Sequence, residues 1–264
     1  MRPGWWLAGF LLAVAALTGP VAAQQPSQQA RGETFLQLPY WPGYWVGENS
    51  AGTPISGIAL RPESAGPPPS DSIAVWANNA PWNEEGRRRL AEIARAQGSR
   101  KSSGWGYPLM MNSATPVQFL ITPEEVLIIN AYNEARHIYT DGRDHPPLDE
   151  LWATVTGNSI GHWEGETLVV DTIMVSSPND FFQGAPPLSE EARYSERIWL
   201  DGDRLRIDMT IVDPVTLSEP WRARLALVRD EGFDRMIQVD WDNDRTGTEG
   251  GLNTIEPPAD ETGE

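Results

Sequence analysis

Gly157-Asn158-Ser159-Ile160-Gly161-His162-Trp163-Glu164-Gly165-Glu166-Thr167-Leu168-Val169-Val170-Asp171-Thr172-Ile173 is the stretch whose pattern decides the fold. On both sides of Gly165-Glu166, apolar and polar residues alternate with a period of two, and an acid followed by glycine suits a tight reversal between antiparallel strands. The same signal recurs at Leu200-Asp201-Gly202-Asp203-Arg204-Leu205 and at Asp230-Glu231-Gly232-Phe233-Asp234. Period-two runs predict strands over 117–121, 126–132, 136–139, 159–163, 168–173, 194–200, 205–212, 221–228 and 236–241. The chain therefore reads as mainly β, an antiparallel meander either closed as a barrel or packed as a sandwich.

Register follows for two hairpins. A two-residue Gly202-Asp203 loop pairs Leu200 with Leu205 and Ile198 with Ile207. That collects Ile198, Leu200, Leu205, Ile207, Met209 and Ile211 on one face and sets Arg197 against Asp208 on the other. The same rule puts Trp163 opposite Leu168 and Gly161 opposite Val170, leaving Asn158, Ile160, His162, Glu164, Val169 and Asp171 together on the far face. His162 and Asp171 become diagonal neighbours there, which suits an oriented general base and equally suits a solvent-facing polar pair.

Composition sets the bounds. Twelve Trp and 40% hydrophobic residues in 264 are enough for one sizeable core, while 24 Gly and 23 Pro argue against a helical bundle. We expect a single β-rich domain over 76–245, preceded by an irregular Pro/Gly-rich arm over 24–75 and followed by a disordered acidic tail over 246–264. In the arm, the aromatic turn Pro39-Tyr40-Trp41-Pro42-Gly43-Tyr44-Trp45 can dock the extended chain onto a sheet. One short helix is expected, with Asn83 as N-cap, Glu84 and Glu85 at its positive end, an apolar stripe of Leu90, Ile93 and Ala94, and Gly98 as its stop.

Residues 1–23 read as a secretory signal peptide: Arg2, the apolar run Trp5 to Leu17, and small residues up to a cut after Ala23. A periplasmic or secreted location is expected, with no membrane insertion after cleavage, because nothing later is apolar for long enough to span. Without Arg2 the chain keeps 19 basic and 37 acidic residues, a charge of -18 against -17 for the whole. Such a chain repels nucleic acid and anionic membranes. Lys101 is the only lysine, so nearly every cation is a guanidinium suited to forked pairing with carboxylates. With no cysteine there is no disulfide, and stability outside the cytoplasm rests on packing.

All three histidines, His137, His145 and His162, lie in the central region, which concentrates the candidate chemistry. Gly157-Asn158-Ser159-Ile160-Gly161 matches the letters of a nucleophile elbow, but a strand follows it and no histidine lies beyond 162. Asp240, Asp242 and Asp244 alternate as in a calcium loop, yet Arg245 and Gly251 stand where glycine and glutamate are needed. The three histidines lack zinc spacing. Arg136-His137-Ile138-Tyr139-Thr140-Asp141-Gly142-Arg143-Asp144-His145-Pro146 is richer: the Asp-Gly turn sets Arg143 and His145 on a loop that could clamp a carboxylate or sugar, or could pin itself through its own ion pairs. Candidate ligand contacts are thus Arg136, Tyr139, Asp141, Arg143, Trp163 and Arg197, and candidate catalytic residues are His162, Asp171 and His145.

The run from 117 to 221 resembles a large family of secreted bacterial proteins whose members read roughly R-x-I-Y-x-D-G-R-x-H-P, G-H-S-I-G-x-W-E-G-D-T-L-V-V-D-T, H-S-x-x-L-H-x-x-E-R and T-I-D-D-P-x-x-x-x-x-P-W. Matching residues here include Arg136, Asp141, Gly142, Arg143, His145, Pro146, Gly157, Ser159, Gly161, Trp163, Glu164, Gly165, Asp171, Ser189, Glu196, Arg197, Asp213, Pro214, Pro220 and Trp221. The resemblance implies export and names no reaction. Where those proteins tend to carry histidines this chain has Asn158, Leu188 and Arg193, and His162 stands where they have Arg or Lys. A metal or catalytic site built on those histidines is lost or altered here, so no cofactor and no tightly bound transition metal is expected. Two functions stay open: an exported domain that binds a small polar or amphipathic molecule, or a hydrolase or lyase using a His and carboxylate pair. A structural envelope role is the third, and oligomeric state is not legible.

Overall fold

The computed structural model describes residues 27–48, 80–95, 105–112, 115–176, 186–232 and 234–236. The signal segment, the expected strand 236–241 beyond Met236, the Asp240 series and the acidic tail lie outside the described residues.

Nine strands close into a barrel in sequence order. They are β1 (Trp45–Gly47), β2 (Val117–Ile121), β3 (Glu125–Asn130), β4 (Ala135–Tyr139), β5 (Asn158–Glu164), β6 (Thr167–Ile173), β7 (Arg193–Asp201), β8 (Arg204–Val212) and β9 (Trp221–Arg229). The two hairpins have the registers their alternation demands: Trp163 faces Leu168, Gly161 faces Val170, Leu200 faces Leu205 and Arg197 faces Asp208. Gly165 and Gly202 take left-handed φ values of 63° and 60° at the reversals, conformations that cost an L side chain energy.

Two features depart from the expected layout. The arm is not wholly irregular: α1 (Gln28–Phe35) is capped by Ser27, whose Oγ accepts from Ala30 N at 3.2 Å. Further on, β1 closes the barrel between β9 and β2. A three-residue strand is too short to display a period, so only the closure of the sheet identifies it. Trp45 and Val46 are both fully buried, and the Asp230 amide continues the ladder by donating to Tyr44 O at 2.7 Å.

The second departure is that β4 and β5 run parallel, whereas every other neighbouring pair is antiparallel. Parallel neighbours need a crossover rather than a hairpin. Residues 140–157 provide it, carrying the chain back along the outside of the barrel, and this connection contains the Asp141-Gly142-Arg143-Asp144-His145 loop.

Alternate residues of each strand fill the interior. Val126, Ile128, Ile138, Leu168, Ile198, Leu205 and Ile207 are all fully buried. Residues 105–112 join the same core, with Tyr107, Leu109, Met110 and Met111 at most 1% exposed. Elsewhere Trp41 packs edge-on against Phe119 and Trp163, with ring centroids 5.7 and 5.5 Å apart, so the aromatic turn docks the arm onto the sheet. α2 (Glu84–Arg95) starts as expected, with Asn83 Oδ1 accepting from Gly86 N at 2.9 Å, while the Asn83 amide donates to Thr216 O at 3.0 Å in the β8–β9 connection.

Candidate functional site

Inside the barrel, strand alternation brings together polar residues from four strands. Arg136 on β4 is fully buried, with Nε donating to Ser159 Oγ at 3.2 Å and Nη2 to Thr172 Oγ1 at 2.9 Å. Its Nη1 donates to Glu196 Oε1 at 3.3 Å, and Nη2 pairs with the second Glu196 oxygen. Above the guanidinium lies the Tyr107 ring, 4.1 Å away. Burial, then the Glu196 carboxylate, push the Tyr107 phenol well above its ordinary range, so it stays protonated. Arg136, expected from the sequence as a ligand contact, therefore lies buried in the barrel interior with its guanidinium engaged by protein groups. Its charge and donors are met from within, as a buried ion requires. Ser159 has the same fate: 1% exposed and bonded to Arg136 and to Thr172 at 2.8 Å, it is no nucleophile.

The opposite face of the same strands carries the second cluster. His145, on the crossover, sets Nδ1 2.6 Å from Asn158 Oδ1 and Nε2 3.0 Å from Asp171 Oδ2. Its side chain is 14% exposed, and Arg193 Nη1 reaches the same Asp171 oxygen at 3.9 Å. Asp171 thus pairs with His145 and not with His162, although the register does make His162 its diagonal neighbour. His162 is 64% exposed and turns to Glu164 Oε1 at 3.3 Å instead. The reason is reach along the crossover: the sequence shows strand register but not where a returning loop will lie. With both ring nitrogens engaged, His145 has no lone pair directed at a substrate. It works as a clip between the crossover and the β5–β6 surface. Gly157, with φ 69°, sits where the crossover turns into β5, and a Cβ there would stand 2.6 Å from Ile173 O, so only glycine fits.

The remaining candidates do not converge. Arg143 is held by Asp141, with Nε 2.9 Å from Oδ1 and Nη2 2.6 Å from Oδ2, and lies over the Tyr139 ring at 4.1 Å. The Arg143 hydrogen bonds keep the Asp141 carboxyl below the usual carboxylate range. This is the self-pinned form of the loop. Trp163 points inward against Trp41, and Arg197 lies on the outer face, donating to Glu164 Oε2 at 2.9 Å.

A groove of about 600 Å³ lies beside the His145 clip, lined by Leu148 of the crossover, Ile173 and Met174 after β6, the 190–193 segment, Val212 and Pro214. Its floor is apolar, and Glu190, Glu191 and Arg193 form the rim. Asp213 ties two of its walls together: Oδ2 accepts from Ser189 N at 2.7 Å, and Oδ1 accepts from Ser189 Oγ at 2.7 Å and from Val215 N at 2.9 Å. Burial raises the Asp213 carboxyl, but donation from Thr216, Ser189 and Val215 outweighs it and leaves the group below its ordinary range. Met174 has φ 56°, the left-handed region that a bulky side chain rarely enters. Its backbone is held by the Thr154 amide, which donates to Met174 O at 3.1 Å. Such strain persists only where surrounding structure enforces it, and it gathers at functional sites. Sequence reading missed Met174 because methionine carries no turn signal. Leu148 was findable in part, since it follows Pro146-Pro147 where the chain must bend.

Asn158 and Arg193 fall on this cluster, against His145 and Asp171 respectively. Leu188 is buried nearby in sequence to Ser189, within the core. Among the described residues no group of three or more His, Cys, Asp or Glu side chains is placed to hold a metal, and no helix is long and apolar enough to cross a membrane. Compared with protein-family models, curated proteins and solved structures, the chain matches none.

Proposed function

We propose that this is an exported barrel that binds a small amphipathic molecule in the groove between the β4–β5 crossover and the β6–β8 face. The observation that carries the reading is Met174, held at φ 56° beside an apolar floor whose rim offers a guanidinium as donor and two carboxylates as acceptors. The volume, about 600 Å³, falls within the ordinary range for a small-molecule site. Arg193 is 60% exposed and only loosely engaged with Asp171 at 3.9 Å, so it can turn to a ligand's polar head. Leu148, Ile173, Met174, Val212 and Pro214 receive the apolar body. A hydrolase or lyase role gains no support from His145, whose two nitrogens are both engaged, or from His162, which stands 64% exposed with Glu164 beside it.

The test is a thermal-shift screen of aromatic acids, short fatty acids and amphipathic amines on the full chain, followed by titration of any hit into Met174→Gly and Arg193→Gln. Met174→Gly should stabilise the free protein by about 1 kcal/mol, because glycine tolerates positive φ, while weakening the hit. Arg193→Gln should weaken it without loss of fold. A hit that binds both variants as it binds the parent places the site elsewhere. Export is checked separately: mass spectrometry of the protein from the periplasmic fraction should find Gln24 first, and retention of Met1 or Arg2 would sink that part.

A further inference from the structure

We infer that the barrel carries a second, separate site, for the oxyanion of a small carboxylate- or phosphate-bearing molecule, on the outer face of β7–β9 around Arg222. Register lays two cross-strand rows there, Asp171–Ser195–Thr210–Arg222 and Val169–Arg197–Asp208–Arg224. In the second row the charges answer one another: Arg224 Nε meets Asp208 Oδ1 at 3.2 Å, and Arg197 Nη2 meets Glu164 Oε2 at 2.9 Å. Arg222 differs. Its direct neighbour across the strand is Thr210, followed by Ser195 and, at the far end of the row, Asp171, so the two nearest positions in its own row carry hydroxyls. Among the described residues it forms no ion pair.

In a chain of net charge -17 carboxylates are plentiful, and outward guanidiniums such as Arg143, Arg204 and Arg206 have one; Arg229, which also forms no ion pair among the described residues, lies over the Trp45 ring instead. Over the two rows lies a trough of about 530 Å³ whose walls include Ser195, Arg197, Asp208, Thr210, Arg222 and Arg224, the Asp208 carboxylate being engaged by Arg224. A guanidinium fork with a hydroxyl residue on the neighbouring strand suits a planar carboxylate or a phosphate face, while Arg224, two residues along the strand, has its charge answered by Asp208. The overall field of the chain opposes an anion, so recognition must come from these direct contacts and not from steering. Exposed sheets do carry solvated arginines, and the concavity with its row of hydroxyls is what separates this place from an ordinary outer face.

The test is titration of the full chain with citrate and, separately, with inorganic phosphate, followed by amide shifts and calorimetry. Saturable binding of either probe, with shifts at Thr210 and Arg222, is expected, and the probe that binds tells carboxylate from phosphate recognition. Arg222→Gln should weaken it about tenfold or more, the scale of one charge-assisted contact, while Arg193→Gln leaves it unchanged. Should Arg222→Gln fail to fold, Thr210→Val carries the same comparison through loss of a hydroxyl. No saturable binding of either probe, or equal binding by parent and Arg222 or Thr210 variants, overturns the assignment. Failure of the amphipathic groove would leave this result untouched, because the two sites share no lining residue.

Discussion

β4 to β7 carry two polar clusters on opposite faces, and the contrast between them separates scaffold from candidate site. Inside, Arg136, Glu196, Ser159 and Thr172 hydrogen-bond one another and are each at most 1% exposed. Outside, Asn158 and Asp171, each one residue along its strand from the inner cluster, meet His145 from the crossover, and Arg193, three residues before Glu196, reaches Asp171, with Asp171 40% and Arg193 60% exposed. The inner cluster has no capacity left for a ligand. The outer one keeps a loosely held guanidinium at the rim of a groove.

The sharpest way to break this comparison is to remove one inner partner. Glu196→Ala leaves a buried guanidinium unpaired and should cost about 3 to 5 kcal/mol, read by chemical denaturation. Replacing both partners by apolar residues, Arg136→Met with Glu196→Leu, should recover most of that loss, and failure to recover would mean the pair does more than satisfy itself. Next in size is Asp213, whose lowered pKa makes a stability contribution with a definite sign. The contribution is complete above the unfolded value near pH 4 and is lost as pH falls through the lower folded value. The melting temperature should therefore drop on acidification below about pH 4. Asp213→Asn should be less stable at neutral pH, by about 1 to 3 kcal/mol, and flatter with pH over that window.

Smaller still is the outer clip. His145→Ala should cost about 1 to 2 kcal/mol and speed amide exchange in the 140–157 crossover ahead of the barrel strands, whereas uniform acceleration would deny the clip its local role. The least effect belongs to Arg143→Lys, since the Asp141 pair is half exposed and lysine keeps the charge but loses the fork and the Tyr139 stacking. A loss below about 1 kcal/mol, with ligand shifts unchanged, is expected for this surface pin. Weakened ligand binding in that variant would return the site to the Asp141-Gly142-Arg143 loop.

Much of the barrel is written locally. Period-two alternation marks β2 to β9, and the acid-glycine reversals at Gly165 and Gly202 set the pairing of Trp163 with Leu168 and of Ile198 with Ile207, because a one-residue slip would turn every apolar side chain outward. Asn83 as the helix cap is equally local. What the sequence by itself could not determine is whatever depends on closure and return paths. β1 is three residues long and exists as a strand only because β9 and β2 flank it. The parallel β4–β5 pair sends 140–157 across the outside, and that path gives Asp171 to His145 rather than to its diagonal neighbour His162. Arg136, chosen from sequence as a ligand contact, is interior for the same reason: alternation says which residues share a face, but only the closed sheet decides which face is inside. Alternation is a property of neighbours along the chain, whereas burial and partnership are set by residues far apart in it, and here the tertiary structure alone brings them together.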